Sequence, residues 1–443
     1  MSGTRRSASF ALVTIMVAAA PMLAQTAAAE INFAPSHPNG TYEIGERVSW
    51  TVSTASGKPI VGLFSYAVRK NNLVVIKTGT FQLTTGTATI ETSLKEPGMV
   101  MVDVTPPAGM QNFGAPSTGG AGHVHLGAAV APTKIRPSVA RPADFDAFWE
   151  SKIAILKTIP ENAQLTQKES GVTGVDYFTL RMDNIKGAHV YGQLAKPSRA
   201  GKFPAMLIMQ WASPPYPLPA KWVTDRAAEG WLVLNIEPHD VPSDMPQAFY
   251  DALPAMIKQY QRINSTDRDA NYFLQMYLGD YRAVDYLAGR DDWDGHVLVA
   301  TGTSMGGQQS LAVAGLHPKV THVIVNEPAG ADATGALHGR ASGYPGWDSK
   351  NPKVMATAPY FDTVNFASRI HATSLVAMGF IDDVAPPVGI WAAFNQIKGQ
   401  KEAAPMVDSH HNNYATPTQQ KPYTARAAEW MNTLVSGKAV QVK

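Results

Sequence analysis

Short segments in which apolar and polar residues alternate fill the first part of the chain after residue 30. Residues at turns, such as Ser56-Gly57-Lys58-Pro59 and Glu96-Pro97-Gly98, separate these segments, which are rich in Val, Thr and Tyr. This pattern is typical of short antiparallel strands. It predicts an immunoglobulin-like β-sandwich over residues 30–116, followed by a Gly- and Pro-rich linker over 117–140. The predicted strands are Arg47 to Val52, Gly62 to Val68, Leu73 to Lys77, Gly79 to Thr84, Thr87 to Thr92 and Met99 to Val104.

From Arg141 onward, helical spacing alternates with short continuous apolar runs. Such runs are typical of buried parallel strands, and their alternation with helices predicts a doubly wound α/β domain over residues 141–443. In that fold the ligand site lies at the carboxyl ends of the strands. The predicted strands are 205–209, 231–236, 296–300, 321–325, 374–378 and 405–407, and the predicted helices are 143–157, 221–229, 272–287, 308–316, 387–397 and 423–435.

The first 29 residues have the pattern of an export signal. Arg5 and Arg6 precede an apolar run from Phe10 to Ala20, and Ala27-Ala28-Ala29 provides a small-residue cleavage site. No later apolar run approaches the length of a membrane span. We therefore expect a secreted or periplasmic protein that has no contact with the membrane once the signal is removed.

Charge and cysteine content narrow the possible functions. Removal of Arg5 and Arg6 leaves 35 basic residues against 35 acidic ones, a balance that argues against nucleic acid as a partner. The chain has no cysteine, which excludes disulfides, thiol catalysis and zinc-thiolate sites. The oligomeric state stays open.

The strongest chemical signal is Gly302-Thr303-Ser304-Met305-Gly306, between the strand 296–300 and the helix 308–316. A strand that breaks into Gly-x-Ser-x-Gly and resumes as a helix is the nucleophile elbow of an α/β-hydrolase. Ser304 is therefore the predicted nucleophile. The alternative interpretation is a glycine-rich turn whose serine only caps the helix.

A serine nucleophile needs a base, and the base needs a carboxylate. In α/β-hydrolases the acid and then the histidine follow the serine along the chain, and Asp382 and His411 follow predicted strands in that order. Asp383 and His410 are the competing residues for these two roles. The sequence favours His411 because Asn412 and Asn413 tolerate the positive φ of a turn back over the sheet edge.

The predicted oxyanion hole combines the amide of Met305 with that of Trp211 or Ala212, on the loop after the strand 205–209. No cofactor or metal is expected. His123 and His125 have a spacing that can bind metal on a strand, but no third ligand is near them in sequence.

Two segments resemble the acetyl xylan esterase and cephalosporin C deacetylase family of α/β-hydrolases. Arg141 to Trp149 is similar to that family's entry helix, and Tyr360 to Pro387 is similar to the stretch that holds its catalytic acid, which falls on Asp382. The chain departs from the family at the elbow, where Met305 replaces a usual Gln, and at Glu237-Pro238-His239-Asp240, which replaces Arg-Gly-Gln.

The resemblance implies an exported serine carboxylesterase that removes acetyl groups from plant-polysaccharide sugars such as acetylated xylan, without a cofactor. One alternative is another esterase or a peptidase on the same fold. A second is a carbohydrate-binding protein with a relic hydrolase domain, which predicts the loss of a triad member. Because every predicted catalytic residue follows Arg141, we also expect the β domain to be dispensable for hydrolysis of small esters.

Overall fold

The computed structural model describes residues 31–54, 57–110, 113, 123–243 and 245–443. The predicted export signal and residues 117–122 of the predicted linker lie outside this range. Within it, no helix has both the length and the apolar character needed to cross a bilayer.

Seventeen strands and nine α-helices are present in the described residues. The strands are β1 (Ile31–Pro35), β2 (Thr41–Tyr42), β3 (Val48–Thr54), β4 (Ile60–Lys70), β5 (Val74–Leu83), β6 (Thr87–Thr92), β7 (Gly98–Thr105), β8 (Val124–Val130), β9 (Gln164–Lys168), β10 (Val175–Asp183), β11 (His189–Pro197), β12 (Phe203–Met209), β13 (Leu232–Ile236), β14 (Trp293–Thr303), β15 (His322–Asn326), β16 (Thr373–Gly379) and β17 (Lys401–Met406). The helices are α1 (Phe145–Lys157), α2 (Lys221–Glu229), α3 (Gln247–Met256), α4 (Tyr272–Ala288), α5 (Met305–Leu316), α6 (Pro352–Thr357), α7 (Thr363–Ala367), α8 (Pro387–Gln396) and α9 (Pro417–Val435).

The C-terminal part of the chain, the predicted α/β domain, is built on one sheet of nine strands, in the order β17-β16-β15-β14-β12-β13-β11-β10-β9. The six strands from β17 to β13 in this order are parallel, and the other three are antiparallel to their neighbours. Apolar residues of β12 and β14 to β16 are buried on both faces because helices cover both sides of the sheet. The carboxyl ends of the parallel strands therefore meet at one edge, where the predicted site residues follow them.

An N-terminal β domain precedes this sheet. Its three-stranded sheet has the order β1-β3-β6, and its five-stranded sheet has the order β2-β8-β7-β4-β5. Trp50, Phe64 and Val102 are buried between the two sheets. The two predicted strands at 73–77 and 79–84 form one continuous strand, β5. The immunoglobulin-like type of this domain stays a prediction.

The prediction of a linker over 117–140 is wrong for residues 124–130. They form β8, which pairs with β7 and β2 in the five-stranded sheet of the β domain. The run Leu126-Gly127-Ala128-Ala129-Val130 lacks polar alternation because both of its faces are buried. Leu126 and Ala128 pack into the β-domain core, while Ala129 packs into the core of the α/β domain. Small residues occupy these positions because the α/β domain lies directly against them, so the segment resembles a linker only in composition.

Candidate active site

Ser304 occupies the sharp turn between β14 and α5, with no other residue between the two elements. Its backbone has φ 58° and ψ −120°, a conformation that costs energy for any residue other than glycine. Its amide donates to the carbonyl of Asn326, at the end of the neighbouring strand β15, over 3.0 Å. The strand–turn–helix context predicted for this serine is therefore present. The alternative, a serine that only caps the helix, is not supported, because the Ser304 side chain makes no capping hydrogen bond.

Two glycines make this turn sterically possible. A Cβ on Gly302 would lie 2.4 Å from the carbonyl carbon of Gly306, and a Cβ on Gly306 would lie 2.2 Å from the carbonyl oxygen of Met209. Both distances are far below van der Waals contact. The Gly-x-Ser-x-Gly spacing thus reflects how closely the start of α5 approaches β14 and the end of β12.

Asp382 lies in the loop after β16 and is fully buried. Its Oδ1 accepts hydrogen bonds from the amides of Val384 and Ala385, at 2.8 and 2.9 Å. Its Oδ2 lies 2.7 Å from Nδ1 of His411. A carboxylate only accepts, so Nδ1 carries the proton and Nε2 of His411 is left as the acceptor. This is the tautomer that a general base toward a serine requires.

The pKa of His411 reflects opposing effects. Burial lowers this pKa, but the hydrogen bond and charge of Asp382, together with the charge of Glu327, outweigh burial and raise it above its ordinary value. The side chain is 5% exposed. The His411 imidazole is therefore largely buried, and nearby carboxyl groups stabilise its protonated form.

His410 and Asp383 do not share this arrangement. The His410 ring lies 5.3 Å from the ring of His125 in the β domain, and its Nδ1 has no hydrogen-bond partner among the described residues. Burial lowers the pKa of His410, and His125 lowers it further. Asp383 is exposed at the surface of the acid loop. Of the alternatives left open by the sequence, the structure brings together Asp382 and His411.

The predicted oxyanion residues flank the elbow. Met305 is the first residue of α5 and is fully buried, with its sulfur 3.2 Å from the Tyr260 hydroxyl and 3.0 Å from the Tyr344 hydroxyl. The methionine that replaces the family's usual Gln thus has polar partners of its own. Trp211 and Ala212 lie on the loop after β12, separated from its last residue, Met209, by Gln210.

His239, in the segment that departs from the family's Arg-Gly-Gln, supports this loop. Its Nε2 donates to the carbonyl of Ala212 over 3.3 Å, and its Nδ1 accepts from the hydroxyl of Tyr272 over 2.8 Å. Burial lowers the pKa of His239 to about 4, so the ring is neutral at physiological pH. The sequence alone does not mark His239, because only the fold brings its ring within hydrogen-bond distance of Ala212.

A cavity of about 480 Å³ opens beside the same loop. Ala212, Pro214 and Tyr216 form one wall, and α3 forms another. Tyr260 and Tyr344, which contact the Met305 sulfur, also line it. The cavity therefore lies beside the loop that carries Ala212 and beside the two tyrosines that contact Met305.

One further carboxylate at this edge was missed by the sequence analysis. Glu327 directly follows β15, and its Oε2 lies 3.6 Å from Nδ1 of His411. Glu327, Asp382 and His411 form the one group of three potential metal ligands among the described residues, and His123 and His125 do not belong to such a group. The signal that could have found Glu327 is its position at the end of a parallel strand, which Asp382 shares.

Proteins similar to this chain are described as acetyl esterases. The family model described as acetyl xylan esterase (AXE1) matches residues 133–336 and 343–431. The acetyl esterase Axe7A of Xylanibacter ruminicola is 30% identical over 379 residues, which cover 83% of this chain and 84% of that protein.

Solved structures give the same fold. An acetyl xylan esterase from Paenibacillus sp. R4 aligns with a TM-score of 0.57 and 24% identity, over 67% of this chain and 98% of that one. Acetyl xylan esterase 1 from Thermoanaerobacterium sp. JW/SL YS485 aligns with a TM-score of 0.54 and 20% identity, over 68% and 97% of the two chains.

Proposed function

The chain belongs to the acetyl xylan esterase family and is a carboxylic ester hydrolase of the α/β-hydrolase fold, and on that premise we propose that it is a serine esterase that deacetylates plant-polysaccharide sugars. The observation that carries the serine mechanism is the 2.7 Å contact between His411 and Asp382, at the sheet edge where the strained Ser304 also lies. A relic hydrolase has no need to keep this pair.

Each residue then has a defined role. Ser304 attacks the ester carbonyl while Nε2 of His411 takes its proton, and Asp382 holds the imidazole and stabilises its charged form. The amides of Met305 and of Trp211 or Ala212 stabilise the oxyanion. The alcohol leaves with the proton from His411, and water then releases the acyl group by the same steps in reverse order.

Acetylated carbohydrate is the proposed substrate. The names of the relatives, acetyl esterase and acetyl xylan esterase, support an acetyl ester, and the cavity beside the Ala212 loop supports binding of the sugar. Its tyrosines, Tyr216, Tyr250 and Tyr260 among them, offer flat apolar faces with polar edges, a suitable surface for a sugar ring. We further propose that the protein acts after export, as residues 1–29 predict, and outside the membrane.

The test is acetate release from acetylated xylan and from acetylated xylo-oligosaccharides, compared with longer acyl esters and peptides. We expect acetyl esters to be preferred, and a preference for long acyl chains or peptides would contradict the proposal.

Ser304→Ala should lower kcat by about three orders of magnitude or more. Ser374→Ala is the matched control, because Ser374 is also buried, near the start of β16, but its hydroxyl donates to the backbone carbonyl of Ala372. Retention of a tenth of the activity by Ser304→Ala would rule out Ser304 as nucleophile.

A further inference from the structure

Glu327 faces the same nitrogen of His411 as Asp382 does. The distances from Nδ1 are 2.7 Å to Oδ2 of Asp382 and 3.6 Å to Oε2 of Glu327, and both carboxyl groups are fully buried. They come from different strands, since Asp382 follows β16 and Glu327 follows β15. A buried carboxyl beside another carboxyl is costly unless donors surround it.

Donors from two elements hold Glu327 in place. Its Oε2 accepts from the amide of Asn412, the residue after His411, over 2.7 Å. Its Oε1 accepts from Nε2 of Gln420 on α9 over 2.8 Å, and the side-chain oxygen of Gln420 accepts from Asn326. Gln420 therefore has no freedom to turn its amide around without losing a bond. Only a group that accepts on both oxygens fits between these donors.

The backbone at Glu327 is also constrained. Its φ is 45°, in the left-handed region that is strained for this residue type, and its amide donates to the carbonyl of Ala377 in β16 over 3.1 Å. A strained residue that is fixed from both sides is typical of functional positions. Here the fixed residue connects the strand that leads to the acid with the loop that carries the base.

We propose that Glu327 is a second positioning carboxyl for His411. It fixes the base loop through the Asn412 amide, and in its ionised form it provides a second negative group for the imidazolium that forms during acyl transfer. This inference rests on the proposed function, because it assigns His411 as the base. Asp382 remains the direct hydrogen-bond partner, and Glu327 partly replaces it when Asp382 is removed.

The charges around the pair set the pH range of this role. Burial and the nearby charge of Asp382 raise the pKa of Glu327 to about 8, so Glu327 is only partly ionised near neutral pH, and its ionised form helps to raise the pKa of His411. Asp383 on the acid loop and Tyr423 on α9 are the other titratable groups that interact with these residues. Loss of the Glu327 carboxyl should therefore lower the pKa of His411.

The test uses the full chain with Glu327→Gln, Asp382→Asn and the double variant. We expect Glu327→Gln to lower kcat about 10-fold with KM unchanged, because a displaced base slows the chemical step rather than binding. Asp382→Asn should lose about 10²-fold, less than the roughly 10⁴-fold typical of a lone triad aspartate. The double variant should be at least about 10-fold slower than Asp382→Asn.

The control is Glu402→Gln. Glu402 is a buried carboxylate on β17, but it pairs with Arg426 at 2.7 and 2.8 Å. Its loss should reduce stability without changing kcat. If Glu327→Gln does not fold, Glu327→Asp replaces it in the test, because aspartate keeps the carboxyl group but is too short to reach the Asn412 amide. We expect Glu327→Asp to lower kcat, and to shift the acid limb of the pH profile less than loss of the carboxyl would.

A second readout separates this inference from the proposed function. The pKa of His411, followed by NMR in histidine-labelled protein and assigned with His411→Asn, should fall in Glu327→Gln whatever ester the enzyme hydrolyses. An unchanged pKa and kcat in Glu327→Gln would overturn the inference. So would a greater loss in Glu327→Gln than in Asp382→Asn, because Glu327 would then be the principal acid. Absence of acetyl hydrolysis in the wild type would overturn only the proposed function.

Discussion

Strand β8 of the β domain lies against the two loops that carry Asp382 and His411. An alanine Cβ at Gly127 would lie 2.5 Å from Cβ of Phe380, 2.9 Å from the carbonyl oxygen of Val407 and 3.1 Å from Cγ2 of Ile381. Phe380 and Ile381 immediately precede Asp382, and Val407 begins the base loop. Gly127→Ala is therefore a one-methyl perturbation of the catalytic pair from outside the catalytic domain.

The size of the effect follows from these distances. Carbon atoms in contact lie about 3.5–4 Å apart, so the acid loop must move by about 1 Å to admit the methyl group. Overpacking of this kind costs about 1–3 kcal/mol of unfolding free energy. A misplacement of about 1 Å near the chemistry costs up to about 10²-fold in rate. We expect kcat to fall about 10-fold or more, with little change in KM.

The assay is hydrolysis of a small aryl acetate, together with urea unfolding. Gly79→Ala is the matched control, since its Cβ would lie 2.5 Å from the ring of Tyr66, also within the β domain but away from the two loops. It should reduce stability without lowering kcat. A Gly127→Ala variant that loses stability but keeps the wild-type kcat would refute the argument, as would an equal loss of kcat in both variants.

Three further outcomes follow from the site. His411→Ala should lower kcat about as much as Ser304→Ala, and His410→Ala should have a mild effect, because only His411 bonds to Asp382; the reverse ranking would make His410 the base. Activity should fall as pH drops, with a midpoint above the ordinary histidine value, because the base must be neutral and the pKa of His411 is raised; a midpoint below that value would contradict the assignment. Chelators should leave hydrolysis unchanged, and a loss restored by zinc would contradict a serine mechanism.

Local patterns predicted the elements that carry the site. Helix α2 and strand β6 have the predicted bounds, and α5 begins directly after Ser304. The predicted strand at 405–407 is displaced, since β17 covers Lys401–Met406. Strand β17 begins with Lys401 and Glu402, and two charged residues in a row do not resemble a buried strand. Their hydrogen-bond partners, Phe394 and Arg426, are brought to them only by folding. Strands β9 to β11 were missed.

The features that the sequence could not reveal depend on contacts between distant segments. Glu327 and His239 follow strands just as Asp382 does, but nothing in their local sequence says that one meets His411 and the other meets Ala212. Both contacts depend on the order of strands in the sheet, with β15 and β17 on either side of β16 and with β13 beside β12. Strand order is not encoded in local periodicity, so such residues become visible only when the sheet is assembled.

The β domain contacts the loops that carry Asp382 and His410. Asn72, at the turn before β5, donates from its side chain to the backbone carbonyl of Asp382 over 3.1 Å, and His125 on β8 lies against His410. Phe380 is fully buried, partly by Gly127 and Gly40 of the β domain, so removal of that domain would expose it beside the catalytic acid. The expectation that the domain is dispensable for small esters followed from where catalytic residues lie in the sequence. The position of Asp382 in space also depends on the residues that pack against its loop, and these include residues of the β domain.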